Sequence, residues 1–221
     1  MEPHEFWQAF EPGSASIRSP YTDRYPAVMG DGRVLALPIR PLAGTENAIA
    51  SLILNQASFA VEAALAEVLA ARVAEVAPDI LVGLPTLGLS LARLVAQRLG
   101  HARYVALGTS RKFWYDPGLS VPLNSITSPG QEKRLYVDPR MLPLLRGQRV
   151  CLIDDVISSG ASIRAGVDVL GLAGVRPVAL GAAMLQTRRW FDAVSNVEVP
   201  VFGAFETPLL KKAEGGWVEV D

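Results

Sequence analysis

The order of hydrophobic and polar positions predicts a chain that alternates between strands and helices from residue 79 onward. Short apolar runs such as DILVGL (79–84) and QRVCLID (148–154) alternate with amphipathic stretches such as LSLARLVAQRLG (89–100). Continuous apolar strands separated by helices indicate a parallel sheet covered on both faces, since parallel strands need crossover connections. The pattern therefore predicts an α/β fold, whose ligands bind at the carboxyl ends of the strands.

The amino-terminal part of the chain has a different pattern. Residues up to about 27 show no clear periodicity and predict irregular structure. Gly30 to Gly32 separate two short apolar runs, as in a β-hairpin. From Thr45, which suits an N-cap, to about Ala77, apolar residues recur at roughly helical spacing and predict helix. We therefore expect a small amino-terminal hood over residues 1–45, with the carboxyl-terminal tail as an additional contributor, and a core over residues 46–221.

Composition and charge exclude several classes of partner. The chain has 221 residues, half of them hydrophobic, which suits one α/β domain. Its 21 basic and 22 acidic residues leave a net charge of -1, so no overall field would attract nucleic acid or an anionic membrane. The single cysteine, Cys151, lies in an apolar run, where it suits the core and rules out an internal disulfide. Since no run of about 18 apolar residues and no secretory signal occurs, we expect a cytoplasmic protein without a membrane span.

The stretch VCLIDDVISSGAS (150–162) carries the most specific chemistry, because two acids follow an apolar strand and precede a hydroxyl-rich turn. Asp154 and Asp155 suit vicinal hydroxyl groups and Mg²⁺. The turn and the first amides of the next helix suit a phosphate; these residues are Ser158, Ser159, Gly160, Ala161 and Ser162. Together the acid pair and the hydroxyl-rich turn predict a binding site for a ribose 5-phosphate. An ordinary serine-capped helix after a strand would explain Ser162 but not the paired acids.

This stretch resembles the 13-residue signature with which type I phosphoribosyltransferases bind phosphoribosyl pyrophosphate (PRPP). A P-loop is excluded because no Gly-Lys-Ser/Thr stands at the needed spacing. The resemblance implies a flavodoxin-like parallel sheet flanked by helices, and a Mg²⁺-dependent enzyme. Such an enzyme transfers phosphoribose from PRPP to a nucleobase or related amine and releases pyrophosphate. Homodimers are common in this family, and we expect one here.

Two further segments extend the resemblance over residues 79 to 190. VGLPTLGLSLA (82–92) resembles the pyrophosphate loop of the family, in which backbone amides, sometimes across a cis peptide, bind pyrophosphate. The residues concerned are Pro85, Thr86, Leu87 and Gly88, and an ordinary strand-to-helix turn is the alternative. The long polar segment 109–139 resembles the mobile catalytic loop, and Ser110-Arg111-Lys112 resembles the start of that loop in adenine-type members.

The resemblance implies catalytic roles for Arg111 and Lys112. Cations in this loop would neutralise charge on the departing pyrophosphate, an interaction stronger in the transition state than in the ground state. Lys133 and Arg134 are second candidates, with a solvated surface charge as the alternative. We expect the aromatic residues Phe113 to Tyr115 to anchor the loop by packing.

The resemblance leaves the acceptor open. Gln186 ends a strand where 6-oxopurine members carry a lysine nearby, and Ser158 stands where they carry an acid. Both departures favour adenine or a non-purine acceptor, although the 85–88 loop lacks the Glu-Ser-Arg character usual in adenine enzymes. We assign Val156, Gln186 and Phe202 to the base pocket, with packing in the core as the alternative for Phe202.

Two alternatives to a transferase remain. The first is a non-catalytic regulatory protein that senses PRPP or a nucleotide, because the signature supports binding whether or not a reaction follows. Pyrophosphate release across a panel of bases would separate it from the enzyme. The second is hydrolysis of PRPP or a phosphoribosylated product, which needs a placed water that no sequence pattern identifies.

Overall fold

The computed structural model describes residues 1–11, 18–123 and 133–220. The strands in these residues are β1 (Arg24–Val28), β2 (Val34–Pro41), β3 (Asn47–Ala50), β4 (Ile80–Gly83), β5 (Val105–Ala106), β6 (Ser120–Pro122), β7 (Arg134–Tyr136), β8 (Val150–Ile157), β9 (Pro177–Gln186), β10 (Val201–Thr207), β11 (Leu209–Ala213) and β12 (Gly216–Val220). The α-helices are α1 (Phe59–Val73), α2 (Gly88–Arg98), α3 (Ala161–Leu172) and α4 (Phe191–Val194), and 3₁₀ turns lie at Pro3–Glu5, Leu54–Gln56, Ala74–Val76, Pro117–Leu119 and Pro139–Leu144. None of the described helices is long and apolar enough to cross a membrane.

A parallel five-stranded sheet forms the centre of the molecule, with the strand order β10-β9-β8-β4-β5. Helices α1 and α2 pack on one face and α3 on the other, and each face has its own buried apolar cluster. Successive residues of β8 alternate between the two clusters, as expected for a strand covered on both faces. The predicted α/β fold is confirmed, and the carboxyl ends of its strands share one edge.

A second, antiparallel sheet forms the hood, with the strand order β1-β2-β3-β11-β12. The predicted hairpin joins β1 and β2, and Gly32 in its turn has a φ of +86°, which favours glycine. Strands β11 and β12 come from the carboxyl-terminal part of the chain; β11 pairs with β3, and β12 pairs with the other edge of β11. The hood therefore combines the amino-terminal hairpin with the carboxyl-terminal tail, which was expected as an additional contributor.

The helix predicted to begin at Thr45 is wrong over its first part. Thr45 lies in a turn, where its Oγ1 donates to the carbonyl of Leu42 at 2.9 Å. Residues 47–50 then form β3, with alternate residues buried, because β2 and β11 pair with both of its edges. The helix α1 begins at Phe59, after Ser58, whose Oγ accepts a hydrogen bond from the N–H of Val61 at 3.2 Å.

The segment predicted as a mobile loop, 109–139, is attached to the core at both of its ends. Its strands β6 and β7 form an antiparallel ribbon that contacts α3, and Gly108 bridges to Tyr136. Leu135 and Val137 are fully buried in the cluster on the α3 face. Residues 124–132 lie outside the described residues, so the mobility of the loop stays a prediction.

Candidate active site

The acid pair lies at the carboxyl end of β8, between β4 and β9. Asp154 is only 5% exposed and Asp155 is half-buried. The Oδ1 atom of Asp154 accepts a hydrogen bond from the backbone N–H of Asp155 at 2.9 Å. Burial raises the pKa of both carboxyl groups, and the charge of Asp155 further raises the pKa of Asp154. In the described part of the chain no Lys or Arg forms an ion pair with either carboxylate, so both are available to a ligand.

A cup for an anion follows the acid pair directly. Strand β8 ends at Ile157, the chain turns, and α3 begins after Gly160, whose φ of +80° favours glycine. Residues 156–163 line a cavity of about 70 Å³, which we name the anion cup. The first amides of α3 have no intrahelical partners and carry the positive end of the helix dipole, so the cup suits an anion. It collects all five predicted phosphate-binding residues, Ser158, Ser159, Gly160, Ala161 and Ser162.

The predicted pyrophosphate loop lies against the acid pair. Strand β4 ends at Gly83, the Pro85–Thr86 peptide is cis, and α2 begins at Gly88. A Cβ atom on Gly88 would stand 2.8 Å from Cα and 3.0 Å from Oδ1 of Asp154. The loop of Pro85, Thr86, Leu87 and Gly88 therefore adjoins the carboxyl end of β8, and only glycine permits this approach.

The predicted loop cations lie apart from this arrangement. Arg111 and Lys112 are exposed, and no hydrogen bond or ion pair among the described residues joins them to the acid pair. Their catalytic role stays a prediction. Arg134, one of the two second candidates, holds the ribbon together, because its Nε and Nη2 donate to Oγ and the carbonyl of Ser120, each at 3.0 Å.

The three aromatic residues of the loop differ in exposure and in packing. Phe113 is 95% exposed, so the prediction that it anchors the loop is wrong. Trp114 does anchor it, since its Nε1 donates to Oδ2 of Asp138 at 3.2 Å and the guanidinium of Arg140 lies 4.2 Å from its ring centre. Tyr115 packs its ring against the tyrosine of β7. The loop is thus held at its first turn.

Two of the three residues assigned to the base pocket lie near the anion cup. Val156 lines the cup, half-buried. Gln186 is buried at the end of β9, where its Nε2 donates to the carbonyl of Ala50 at 2.6 Å and its Oε1 accepts from the hydroxyl of Ser158 at 2.6 Å. Gln186 therefore links the hood to the cup, and its side-chain amide is already satisfied by protein groups.

The assignment of Phe202 to the base pocket is wrong. Phe202 pairs with Gly181, whereas Thr207, five residues along the same strand, pairs with Gln186. At about 3.3 Å per residue, Phe202 lies roughly 17 Å from the edge that carries the site. Its ring is buried in the core, with the guanidinium of Arg72 5.7 Å from the ring centre, so core packing explains it.

A polar cavity under the hood was not predicted from the sequence. It has a volume of about 220 Å³, and its lining consists of Thr187, Arg188, Glu206, Thr207, Pro208 and Glu219. Oγ1 of Thr207 is buried without a hydrogen-bond partner among the described residues. Burial and a 2.8 Å hydrogen bond to Glu219 raise the pKa of Tyr21 to about 12. The sequence feature that could have indicated this cavity is the pair Glu206 and Thr207, which directly follows the apolar run VPVFGAF.

Comparison with protein families matches the part of the chain that holds this site. A family model described as "Phosphoribosyl transferase domain" matches residues 52–199. A curated relative, the bifunctional protein PyrR 2 of Lactiplantibacillus plantarum, is 29% identical over 109 residues, which cover 49% of this chain and 58% of that protein. The match thus spans little more than half the length of the relative.

Solved structures of adenine phosphoribosyltransferases share the fold. The enzyme of Giardia lamblia in complex with 9-deazaadenine aligns with a TM-score of 0.56 at 20% identity, over 66% of this chain and 80% of that one. The enzyme of Rhodothermus marinus aligns with a TM-score of 0.52 at 18% identity, over 67% and 81% of the two chains. At such low identities these likenesses concern the fold alone.

Proposed function

The chain belongs to the phosphoribosyl transferase family, and we propose that it transfers the phosphoribosyl group of PRPP to a nitrogen atom of a base. Membership confirms the resemblance seen in the signature, and it confirms the enzyme class at the level of a phosphoribosyltransferase. The acceptor, the metal and the roles of individual residues belong to the proposal.

One observation carries the proposal: the acid pair, the anion cup and the loop at residues 85–88 are contiguous at one edge of the sheet. A buried carboxylate without a cationic partner is unfavourable in an empty site. Asp154 is such a group, and bound hydroxyls or a cation would compensate it. The anion cup begins at the residue that follows the pair, so one ligand with a diol and a phosphate can engage both.

This arrangement supports one orientation of PRPP. Its 5-phosphate would accept hydrogen bonds from the amides at the start of α3, within the anion cup. Its ribose hydroxyls would donate to Asp154 and Asp155, since ionised carboxylates only accept. Its pyrophosphate would then extend toward the backbone N–H groups of residues 86–88, in the loop that adjoins Asp154.

The residues present suit a Mg²⁺ ion that is held by protein and substrate together. Among the described residues, no three His, Cys, Asp or Glu side chains cluster into a metal site. Mg²⁺ is commonly held by one or two carboxylates together with water and phosphate oxygens. Asp154 and Asp155 would supply those carboxylates, directly or through water. When bound, the ion supplies positive charge that offsets the charge of pyrophosphate.

The reaction forms a bond between the acceptor nitrogen and C1 of the ribose as the bond from C1 to pyrophosphate breaks. Pyrophosphate leaves with the bonding electron pair, and the nitrogen loses its proton to solvent or a phosphate oxygen. The chain contributes mainly positioning, through the cup and the acid pair. Once the loop closes, Arg111 and Lys112 would donate to the departing pyrophosphate and the loop would exclude water.

We place the acceptor in the polar cavity under the hood. Glu206, Glu219 and the unpartnered Oγ1 of Thr207 are hydrogen-bond acceptors, so they suit N–H groups such as the amino group of adenine. Together with the loop that begins Ser110-Arg111-Lys112, this favours adenine and a role in purine salvage.

A PRPP-binding regulatory protein is the second candidate function. The cup and acid pair are fully assembled, whereas the loop cations make no contact with them in the described structure. Binding therefore has stronger support than turnover. The curated relative is itself described as bifunctional.

Pyrophosphate release from PRPP and Mg²⁺, measured across a panel of bases, tests the proposal. We expect turnover with at least one base, and we expect Arg111→Ala with Lys112→Ala to lower it at least about tenfold with little change in PRPP affinity. Arg93→Ala with Arg98→Ala, a pair of exposed cations on α2, is the matched control. PRPP binding without turnover over the whole panel would favour the regulatory protein. Unchanged turnover in the loop variant would refute the role of the loop cations.

The cytoplasmic location and the homodimer also stay proposals. Cys151 is fully buried, and burial raises the pKa of its thiol to about 12. An inert core thiol agrees with a reduced compartment. Fractionation of cells and the mass of the protein in solution would test the two statements separately.

A further inference from the structure

The corner between β9 and α4, residues 187–190, is docked on the anion cup. A Cβ atom on Gly160 would stand 2.6 Å from Cβ of Ala193 and 3.2 Å from Cα of Trp190. Nε1 of Trp190 is buried and donates to the carbonyl of Thr187 at 2.9 Å. This close packing fixes the corner relative to the cup and places the side chain of Arg189 at the rim of the cup.

Only one assignment of donors and acceptors satisfies the hydrogen bonds around Ser158. Nε2 of Gln186 donates to the carbonyl of Ala50 at 2.6 Å, so Oε1 must face Ser158. Because an amide oxygen has no proton, the hydroxyl of Ser158 is the donor in their 2.6 Å bond. Ser158 therefore offers only lone pairs to the cleft. We expected it to donate to phosphate, and this bond commits its proton elsewhere.

The guanidinium of Arg189 donates a hydrogen bond to the hydroxyl oxygen of Ser158. Its Nη2 donates to Oγ of Ser158 at 3.3 Å and its Nε to Oγ1 of Thr187 at 3.4 Å. The residue is otherwise exposed, and in the described part of the chain no carboxylate forms an ion pair with it. An uncompensated guanidinium with free donors is the group that best matches phosphate or carboxylate oxygens.

We propose that Arg189 is an anion-binding residue of the cleft, which replaces the donor that Ser158 cannot supply. The inference rests on the proposed function, because it takes the cup as the place where the ligand binds. The anionic group is either the 5-phosphate of the phosphoribosyl substrate or an acidic group on the acceptor. Both are oxygen anions that a guanidinium binds in the same way.

The test compares Arg189→Gln, Arg189→Lys and a control, Arg176→Gln. Arg176 is an exposed arginine just before the amino end of β9, at the opposite end of the strand. Affinities for inorganic phosphate, ribose 5-phosphate and PRPP with Mg²⁺ are measured by calorimetry. Pyrophosphate release is compared between adenine and orotate, a base with a carboxylate. We expect Arg189→Gln to weaken binding of the anion that it contacts about 10- to 100-fold, Arg189→Lys to recover part of the loss, and the control to match the wild type.

Each outcome decides one point. Loss of ribose 5-phosphate affinity assigns Arg189 to the 5-phosphate, whereas loss confined to orotate assigns it to the acceptor. If all affinities and turnover stay within twofold in Arg189→Gln, the inference is overturned while the proposed function stands. If the wild type binds inorganic phosphate through Arg189 but does not bind PRPP, the proposed function fails and the inference survives.

Discussion

The contact between Gly88 and Asp154 allows the most direct test of how the site is assembled. Gly88 is the first residue of α2 and is buried against β8. In Gly88→Ala, the new methyl group would meet Cα of Asp154 at 2.8 Å, Oδ1 of Asp154 at 3.0 Å and the carbonyl oxygen of Ile153 at 3.1 Å. Two of these three atoms belong to the backbone and cannot rotate away, so the start of α2 must move.

The size of the movement follows from the distances. Ordinary contact begins at 3.4 Å, so relieving the 2.8 Å contact needs a shift of about 0.6 Å. Overpacking of this kind typically costs about 1–3 kcal/mol of stability. A misplacement of about 1 Å at reacting groups can cost about 100-fold in rate. We therefore expect Gly88→Ala to lower turnover roughly 10- to 100-fold, because the proposed pyrophosphate loop moves relative to the acid pair.

Urea unfolding, PRPP affinity with Mg²⁺ and pyrophosphate release together measure this effect. The matched control is Gly171→Ala in the last turn of α3, where an added Cβ meets nothing within 4 Å. Helix propensity predicts that the control gains up to about 1 kcal/mol of stability with unchanged activity. Wild-type affinity and turnover in Gly88→Ala would refute the idea that the site depends on this close approach.

Two further substitutions test charges. Burial and the charge of Asp155 raise the pKa of Asp154, so the ionised form of Asp154 destabilises the empty protein. Asp154→Asn should therefore raise the melting temperature at neutral pH and weaken PRPP binding at least about tenfold. A lower melting temperature would contradict this. The hydrogen bond from Arg140 lowers the pKa of Asp138 to about 2, so its stabilisation is present above the ordinary value of 3.8 and is lost as the pH falls toward 2. Asp138→Asn should cost roughly 1 kcal/mol at neutral pH, as expected for a partly exposed pair near Trp114, and urea unfolding should show less loss of stability between pH 4 and pH 2 than in the wild type.

Sequence reasoning worked best where structure is determined locally. The signature at 150–162 encodes a strand, a turn and a helix in one continuous segment, so its residues predicted the cup and the acid pair together. The 82–92 segment is similar, because the strand end and the helix start are adjacent in the chain. In both cases the proposed ligand contacts depend on backbone groups that the local sequence places.

The errors concern contacts between distant parts of the chain. Strand β3 was predicted as helix because its stability comes from pairing with β2 and with β11, which lies about 160 residues further on. The polar cavity needs Glu219 of β12 and Thr207 of β10 in one place, and no local pattern indicates that. Phe202 was placed at the wrong end of its strand because an apolar run does not show which of its residues reach the ligand edge.

Gln186 shows how the hood and the cup depend on each other. Its buried amide connects the carbonyl of Ala50 in the hood to the hydroxyl of Ser158 in the cup, and both bonds must break if the two parts separate. Breaking them would leave buried polar groups unpaired, at about 1–3 kcal/mol each. The hood over the proposed acceptor cavity is thereby tied to the turn that we propose binds the anion, so the two halves of the proposed site keep a fixed distance. A base and a phosphoribosyl group bound in them would consequently meet in a geometry set by the protein before either ligand arrives.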